Sequence, residues 1–430
     1  MTASSAAPAR FLAVEARWAL LTRAVQGLGA LLALACVVRG YGVELQGLFF
    51  SFLSLAALIQ LGDFGVGYAS LQMAGHLRAR GDVGAAAQLR RQARRRGLMW
   101  IACTGSAMAA AGAVWLPAST TQPWLGPWCA LAAAAAGMQW AQLELAWLEG
   151  ACSVALAWRL RLVQEVLGAC CFVGSLLAGW GLWSLALYFA ARAAVPLLWW
   201  LVTREPVSAV AQAPAGFSWA EQLWPFQWRI GLSALAGFLV FQAINPLLLL
   251  SQGASATARF GIALAVMNML LLLSTAWPLS QAARFAALLA RGDGIGVQQR
   301  LRRLLGPSMG LALLAALGAL AAVAALLRWA PLLAGRLPDL GTLSLLLVAG
   351  LAHHATACYA VVLRAERLEP LLRLSVIGGM ASLALIAVVA RMADLPGIAA
   401  THLGCTLLGL WLTRDHYRRL LLRLPSSPAP

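Results

Sequence analysis

The chain has 430 residues, of which 61% are hydrophobic and only 11% charged, with a mean hydropathy of +0.78. Soluble domains carry about 25% charged residues, so this composition excludes a soluble globular protein. The formal charge of +17 would suggest nucleic acid in a soluble chain. Here, however, the arginines cluster in short loops between apolar stretches, the pattern that keeps loops on the cytoplasmic side of a membrane.

In chain order, the N-terminal stretch lacks an apolar core before Trp18 and does not resemble a cleavable signal peptide, so the first helix is expected to direct insertion. Apolar runs then predict twelve membrane spans. These are Trp18 to Val38, Gly47 to Gly75, Leu98 to Leu116, Pro127 to Leu148, Leu162 to Trp180 and Leu182 to Val202, followed by Trp224 to Leu250, Phe260 to Gln281, Leu304 to Leu327, Leu343 to Leu363, Leu374 to Ala390 and Ile398 to Thr413. A Pro/Ser/Ala-rich connection, Thr203 to Gln222, separates six spans from six, which predicts an N-lobe over 1–210 and a C-lobe over 211–430. With the N-terminus inside, the cytoplasmic segments hold 24 arginines and the outside loops 5, so both termini are expected in the cytoplasm. The longest outside loop, about Arg328 to Thr342, leaves no room for an extracytoplasmic catalytic domain, and the chain is read as a non-enzyme. There is no lysine to complete a Walker-type phosphate loop, which argues against direct use of ATP.

The halves are related. Leu77, Ala79, Arg80, Gly81, Asp82, Gln88 and Arg91 recur 211 residues later as Leu288, Ala290, Arg291, Gly292, Asp293, Gln299 and Arg302. Each copy lies in an arginine-rich loop after an apolar span, and each half has an even number of spans. The expected architecture is therefore all-α and integral to the membrane, with two parallel-repeat lobes of six helices each.

Charged and polar groups inside the spans are the candidate functional residues, because an ionised side chain at the bilayer centre costs roughly 2.5–3.5 kcal/mol or more and must find a partner, water or cargo. Asp63, flanked by Gly62, Gly65 and Gly67, is expected to couple ions or to pair with an intramembrane arginine. Arg192 lies about midway along the sixth span, and its partner is expected to be an internal acid such as Asp63 or the cargo itself. With Arg23 and Arg229 it forms a candidate phosphate trap, since the guanidinium makes forked bonds to phosphate oxygens. Gln139 and Gln142 are candidate cargo-binding residues and Glu144, His353 and His354 candidate ion-coupling residues, against readings as interfacial or core groups satisfied by helix carbonyls. Seven tryptophans near span ends, Trp18, Trp180, Trp183, Trp199, Trp200, Trp224 and Trp228, read as an interfacial belt. The eight cysteines lack CxxC spacing and indicate neither a metal site nor a disulfide framework, and no cofactor is expected.

The stretches VVRGYGVELQGLFFSFLSLAALIQLGDFGVGYASLQMAGH, AWLEGACSVALAWRLRLVQE and WPFQWRIGLSALAGFLVFQAINP, together with the region around ARFAALLARGD, resemble bacterial polysaccharide-biosynthesis flippases of the multidrug/oligosaccharidyl-lipid/polysaccharide exporter superfamily. The likeness is diffuse and spans roughly residues 18 to 310. It implies a MATE-like pair of six-helix lobes, alternating access, a location in the bacterial inner membrane, and a polyprenyl-pyrophosphate-linked oligosaccharide as cargo for O-antigen or other surface polysaccharide. Other members use cationic residues of the central cavity, and Arg23 and Arg192 are the positions that match that pattern. The expected partners are the lipid-linked oligosaccharide, the bilayer and other polysaccharide assembly proteins. An ion-coupled small-molecule exporter and a non-transporting scaffold of such an assembly are the alternatives.

Overall fold

A computed structural model describes residues 6–115, 123–151, 153–203, 217–365 and 371–423. The described residues form helices and no strands. The helices are α1 Ala6–Gly40, α2 Val43–Ile59, α3 Val66–Arg80, α4 Val83–Trp115, α5 Leu125–Ala151, α6 Val154–Leu177, α7 Trp183–Thr203, α8 Trp219–Gln222 and α9 Trp224–Phe241. They continue as α10 Ile244–Ser274, α11 Ala276–Ser280, α12 Ala282–Ala290, α13 Gly294–Trp329, α14 Leu340–Arg364, α15 Leu372–Val389 and α16 Leu395–Arg423. Eight stretches among them are long and apolar enough to cross a membrane, which makes this a multi-pass membrane protein.

The chain forms two compact units: Met1–Tyr41 with Phe52–Leu235, and Gly42–Ser51 with Ala236–Pro430. Helices α2 and α9 are thus each divided between the units. The boundary expected at 210/211 lies in 204–216, outside the described residues. In unit 1, α5 packs along α4 and α7, and α6 along α1 and α7. In unit 2, α14 packs along α13 and α16, and α15 along α16.

Two expected spans are broken rather than continuous. Gly47 to Gly75 divides into α2 and α3, because Phe64 and Gly65 leave the helical basin with φ of 47° and 82°. Two carboxylate bonds from Asp63 then replace helical carbonyls: Oδ1 accepts from the Gly65 amide at 3.1 Å and Oδ2 from the Gly67 amide at 2.8 Å. Trp224 to Leu250 divides at the Gln242–Ala243 turn into α9 and α10. Helix α10 itself bends at Gly253, whose φ is 83°, so the eighth span begins there rather than at Phe260. Gln252 holds the bend by donating from Nε2 to the carbonyls of Ala390 and Ala393 at 2.9 and 2.7 Å.

Within unit 2 the first turns of α2 approach α10 closely. A methyl on Gly47 would lie 2.3 Å from the Ala254 carbonyl oxygen, and one on Gly261 2.4 Å from the Phe50 ring. Small residues let the two backbones approach, which is how helices associate where lipid removes the hydrophobic driving force. Phe260, Met267, Leu346 and Ile398 fill the adjoining core.

Candidate functional site

In unit 1 the site is assembled from helices α1, α6 and α7. On α7, Tyr188 and Arg192 are one turn apart and so share a face. On α6, Gln164, Glu165 and Gly168 face them. Arg192 donates from Nη2 to Glu165 Oε1 and, at 2.8 Å, from Nη1 to the Tyr188 hydroxyl. Its guanidinium carbon also stands 4.9 Å from the centre of the Tyr188 ring, a favourable place for a cation. Gln164 anchors the same turn by donating to the Arg192 carbonyl at 2.7 Å. Gly168 makes the arrangement possible, since a methyl there would lie 2.6 Å from Arg192 Cγ.

Side-chain exposures of 12% for Arg192 and 9% for Glu165 place this ion pair among buried rather than surface pairs, so breaking it from one side strands a charge. Arg23 on α1, the helix packed along α6, is exposed, and its hydrogen bond goes to Gln26 Oε1 at 3.2 Å. Arg192 Nε is buried and has no hydrogen-bond partner among the described residues.

The partner of Arg192 is thus Glu165 and not Asp63. Sequence reasoning missed Glu165, although the signal was present: Gln164 and Glu165 are a polar pair one turn into an otherwise apolar run. Asp63 sits at the α2–α3 break, where its carboxylate caps α3 and receives a hydrogen bond from Gln139. Gln139 therefore belongs with Asp63, while Gln142 and Gln164 converge on the Met138 sulfur at 3.9 and 3.7 Å. Around the same break, Gln227 Nε2 donates to the Phe64 carbonyl at 3.3 Å and Phe64 stacks on Trp100. Gly231 leaves room for that Phe64 ring, which a methyl would meet at 2.8 Å.

Glu144 is held by a fork from Arg94, Nε to Oε1 at 2.5 Å and Nη2 to Oε2 at 2.6 Å, with Arg90 at 3.9 Å. Arg94 and Arg90 in turn lie over Trp200 and Trp147. Arg229 lies over Trp228, its neighbour on α9, and is not among the cations acting on Glu165. Arg96 over Trp219, Arg159 over Trp18 and Arg161 over Trp158 complete a set of arginine–tryptophan contacts in unit 1. Three of the seven expected belt tryptophans, Trp18, Trp200 and Trp228, therefore also carry an arginine.

In unit 2, His353 and His354 point to different neighbours, because successive residues on a helix are about 100° apart. His354 shares a hydrogen bond with Ser308 at 3.1 Å, whereas His353 meets Thr406 at 3.2 Å and the Phe241 ring at 4.4 Å. His402, which sequence reasoning did not single out, lies 5.6 Å from His353 between ring centres. It is fully buried, and neither of its ring nitrogens has a partner among the described residues. No group of three His, Cys, Asp or Glu able to hold a metal occurs among the described residues.

No protein-family model matches the chain, and no curated protein matches it. Solved structures match it over nearly its whole length. One is the inward-facing conformation of a multidrug resistance MATE family transporter of the MOP superfamily, with 12% identity, a TM-score of 0.71, and coverage of 95% of this chain and 100% of that one. A second is the Vibrio cholerae MATE transporter VcmN, with 15% identity, a TM-score of 0.64, and coverage of 96% and 99%. A third is a MOP superfamily transporter from Pyrococcus furiosus in which reverse polarity of the binding pocket suggests a different function, with 15% identity, a TM-score of 0.60, and coverage of 96% of each chain. Identities this low carry the fold alone. The expected all-α, MATE-like membrane fold is the fold of this chain.

Proposed function

We propose that the chain is a membrane exporter working by alternating access, and that its cargo is a polyprenyl-pyrophosphate-linked oligosaccharide moved from the cytoplasmic to the periplasmic leaflet of a bacterial inner membrane. The observation that carries this reading is the Arg192 guanidinium in the interior of unit 1, which pairs with Glu165 and still has its Nε without a hydrogen-bond partner among the described residues. A guanidinium with a donor left over favours an anion, and its fork matches phosphate oxygens. Pocket polarity varies on this fold, as the description of the Pyrococcus furiosus transporter indicates. Orientation with both termini in the cytoplasm, and cooperation with other polysaccharide assembly proteins, belong to the same proposal.

An ion-coupled small-molecule exporter is the second reading, favoured by the multidrug resistance MATE family transporter among the structures that match. The test is a strain lacking the protein, in which the leaflet position of lipid-linked glycan is assayed with a membrane-impermeant lectin. Glycan retained on the inner leaflet, and restored to the outer one by the wild-type chain, is the expected result. Normal glycan export together with lost efflux of a small molecule would replace the first reading with the second.

A further inference from the structure

We propose that Ser308, His354 and Cys358 of unit 2 form a binding site for a soft monovalent cation, Cu⁺ or Ag⁺, held by the Cys358 thiolate and the His354 imidazole between helices α13 and α14. The inference does not depend on the nature of the cargo.

The three donors come from two packed helices. His354 and Cys358 are both on α14, and their spacing of one helical turn puts them on one face. Ser308 reaches them from α13, which packs along α14. All three are buried, His354 and Cys358 wholly so. His354 Nε2 stands 3.1 Å from Ser308 Oγ and 3.8 Å from Cys358 Sγ, and that oxygen and sulfur are 4.0 Å apart. Sequence spacing does not announce the group, because the cysteine has no CxxC partner and the third donor is supplied from another helix.

The triangle has the size of a coordination sphere. With metal–nitrogen and metal–sulfur bonds of about 2.0 and 2.3 Å, donors 3.8 Å apart subtend roughly 120° at the ion. An oxygen at about 2.1 Å then closes a nearly flat three-coordinate arrangement. Ser308 can be that oxygen while its own proton goes to the Leu305 carbonyl, 3.3 Å away. Nδ1 of His354 has no partner among the described residues, so no hydrogen bond from that nitrogen opposes the tautomer that offers the Nε2 lone pair.

Donor type and charge choose the ion. Thiolate is a soft ligand that selects Cu⁺, and two such donors with one hydroxyl fall short of the four that Zn²⁺ takes in a closed site. Replacing the thiol proton by a monovalent cation leaves the buried group uncharged, whereas a divalent ion would leave a net positive charge among apolar side chains. That charge would also stand near Arg303 and Arg364, which lie less than two helical turns from Ser308 and Cys358. On binding, the S–H bond of Cys358 breaks and a sulfur–metal bond forms. The proton passes to water and no electron is transferred. Full burial means that the ion enters by local opening of the helices.

The test uses full-length protein in detergent, kept reduced and free of oxygen, with the seven other cysteines replaced by serine. Cu⁺ is the probe and a chromophoric Cu⁺ chelator the competitor. One Cu⁺ per chain should bind with release of one proton, and X-ray absorption should show one sulfur ligand together with nitrogen. Cys358→Ser should abolish that binding. His354→Gln should weaken it by at least about a hundredfold, since even groups that only orient a ligand are worth about 10- to 100-fold. Equimolar Zn²⁺ should not displace the Cu⁺. Unchanged binding in either variant, displacement by Zn²⁺, or failure of the folded single-cysteine protein to bind Cu⁺ would overturn the site. Should the seven-serine protein fail to fold, wild type and Cys358→Ser are compared in the natural background. Loss of one equivalent of Cu⁺ there supports the site, and an equal count overturns it.

Discussion

Asp82 and Asp293, 211 residues apart, hold the same structural position. Each follows a glycine with left-handed backbone, Gly81 at φ 70° and Gly292 at φ 67°. Each amide closes the preceding helix onto a leucine carbonyl, Leu77 at 3.1 Å and Leu288 at 3.0 Å. Each carboxylate then accepts from the first turn of the next helix, Asp82 from the Ala85 amide at 2.9 Å and Asp293 from the Gly296 amide at 2.7 Å. The repeated Arg-Gly-Asp is thus a helix stop followed by a helix start.

Replacing either aspartate by alanine should therefore cost about 1 kcal/mol, the usual worth of such a cap. Thermal unfolding in detergent should show a small fall in Tm for Asp82→Ala and for Asp293→Ala. Asparagine at either position, which keeps an acceptor, should restore most of it.

Both loops should face the cytoplasm if the arginine bias sets the orientation. Single cysteines placed at 82 and 293 in a cysteine-free background should resist an impermeant thiol reagent in intact cells and react after permeabilisation. Labelling of one loop but not the other in intact cells would rule out parallel halves.

The Arg192–Glu165 pair should show the asymmetry of a buried ion pair. Arg192→Ala leaves the Glu165 carboxylate without its main partner, a loss of about 3 to 5 kcal/mol where such pairs are broken from one side. Removing both charges, as Arg192→Met with Glu165→Leu, should recover most of that stability but not glycan export. Neutralising Asp63 instead should recover nothing, because Asp63 is engaged with the Gly65 and Gly67 amides.

The crossing of α2 and α10 should not tolerate a side chain. Gly47→Val would place carbon within 2.3 Å of the Ala254 carbonyl oxygen, forcing the helices apart at a cost of roughly 1 to 3 kcal/mol. Membrane abundance should fall sharply for Gly47→Val, whereas valine at Gly306, where a methyl meets nothing within 4 Å, should have little effect.

Asp63→Ala should destabilise by about 1 kcal/mol by leaving the start of α3 uncapped. Export by the Asp63→Asn variant, which keeps one acceptor, distinguishes capping from ion coupling. Retained export is expected from a cap, and a full loss with normal abundance would return Asp63 to the transport machinery.

The class of protein, its all-helical character and its repeat were legible in the sequence because each is a local property. The length of an apolar run, the arginine content of a loop and the recurrence of Arg80-Gly81-Asp82 at 291–293 need no knowledge of what lies beside them. Partnerships were not legible in this way. Arg192 was conspicuous as a charge inside a span, yet its acid is 27 residues away on another helix, and only helix packing with the clearance at Gly168 chooses Glu165 over Asp63. Asp63 looked like a membrane charge in an unbroken helix, but the positive φ of Phe64 and Gly65 turned it into a cap. His353 and His354 are adjacent in sequence and separate in space, while the residue beside His353 is His402 from α16. An intramembrane polar group must be compensated, and sequence states that requirement; which neighbour compensates it is decided by the rotation and crossing of helices, because those alone determine which side chains come within reach.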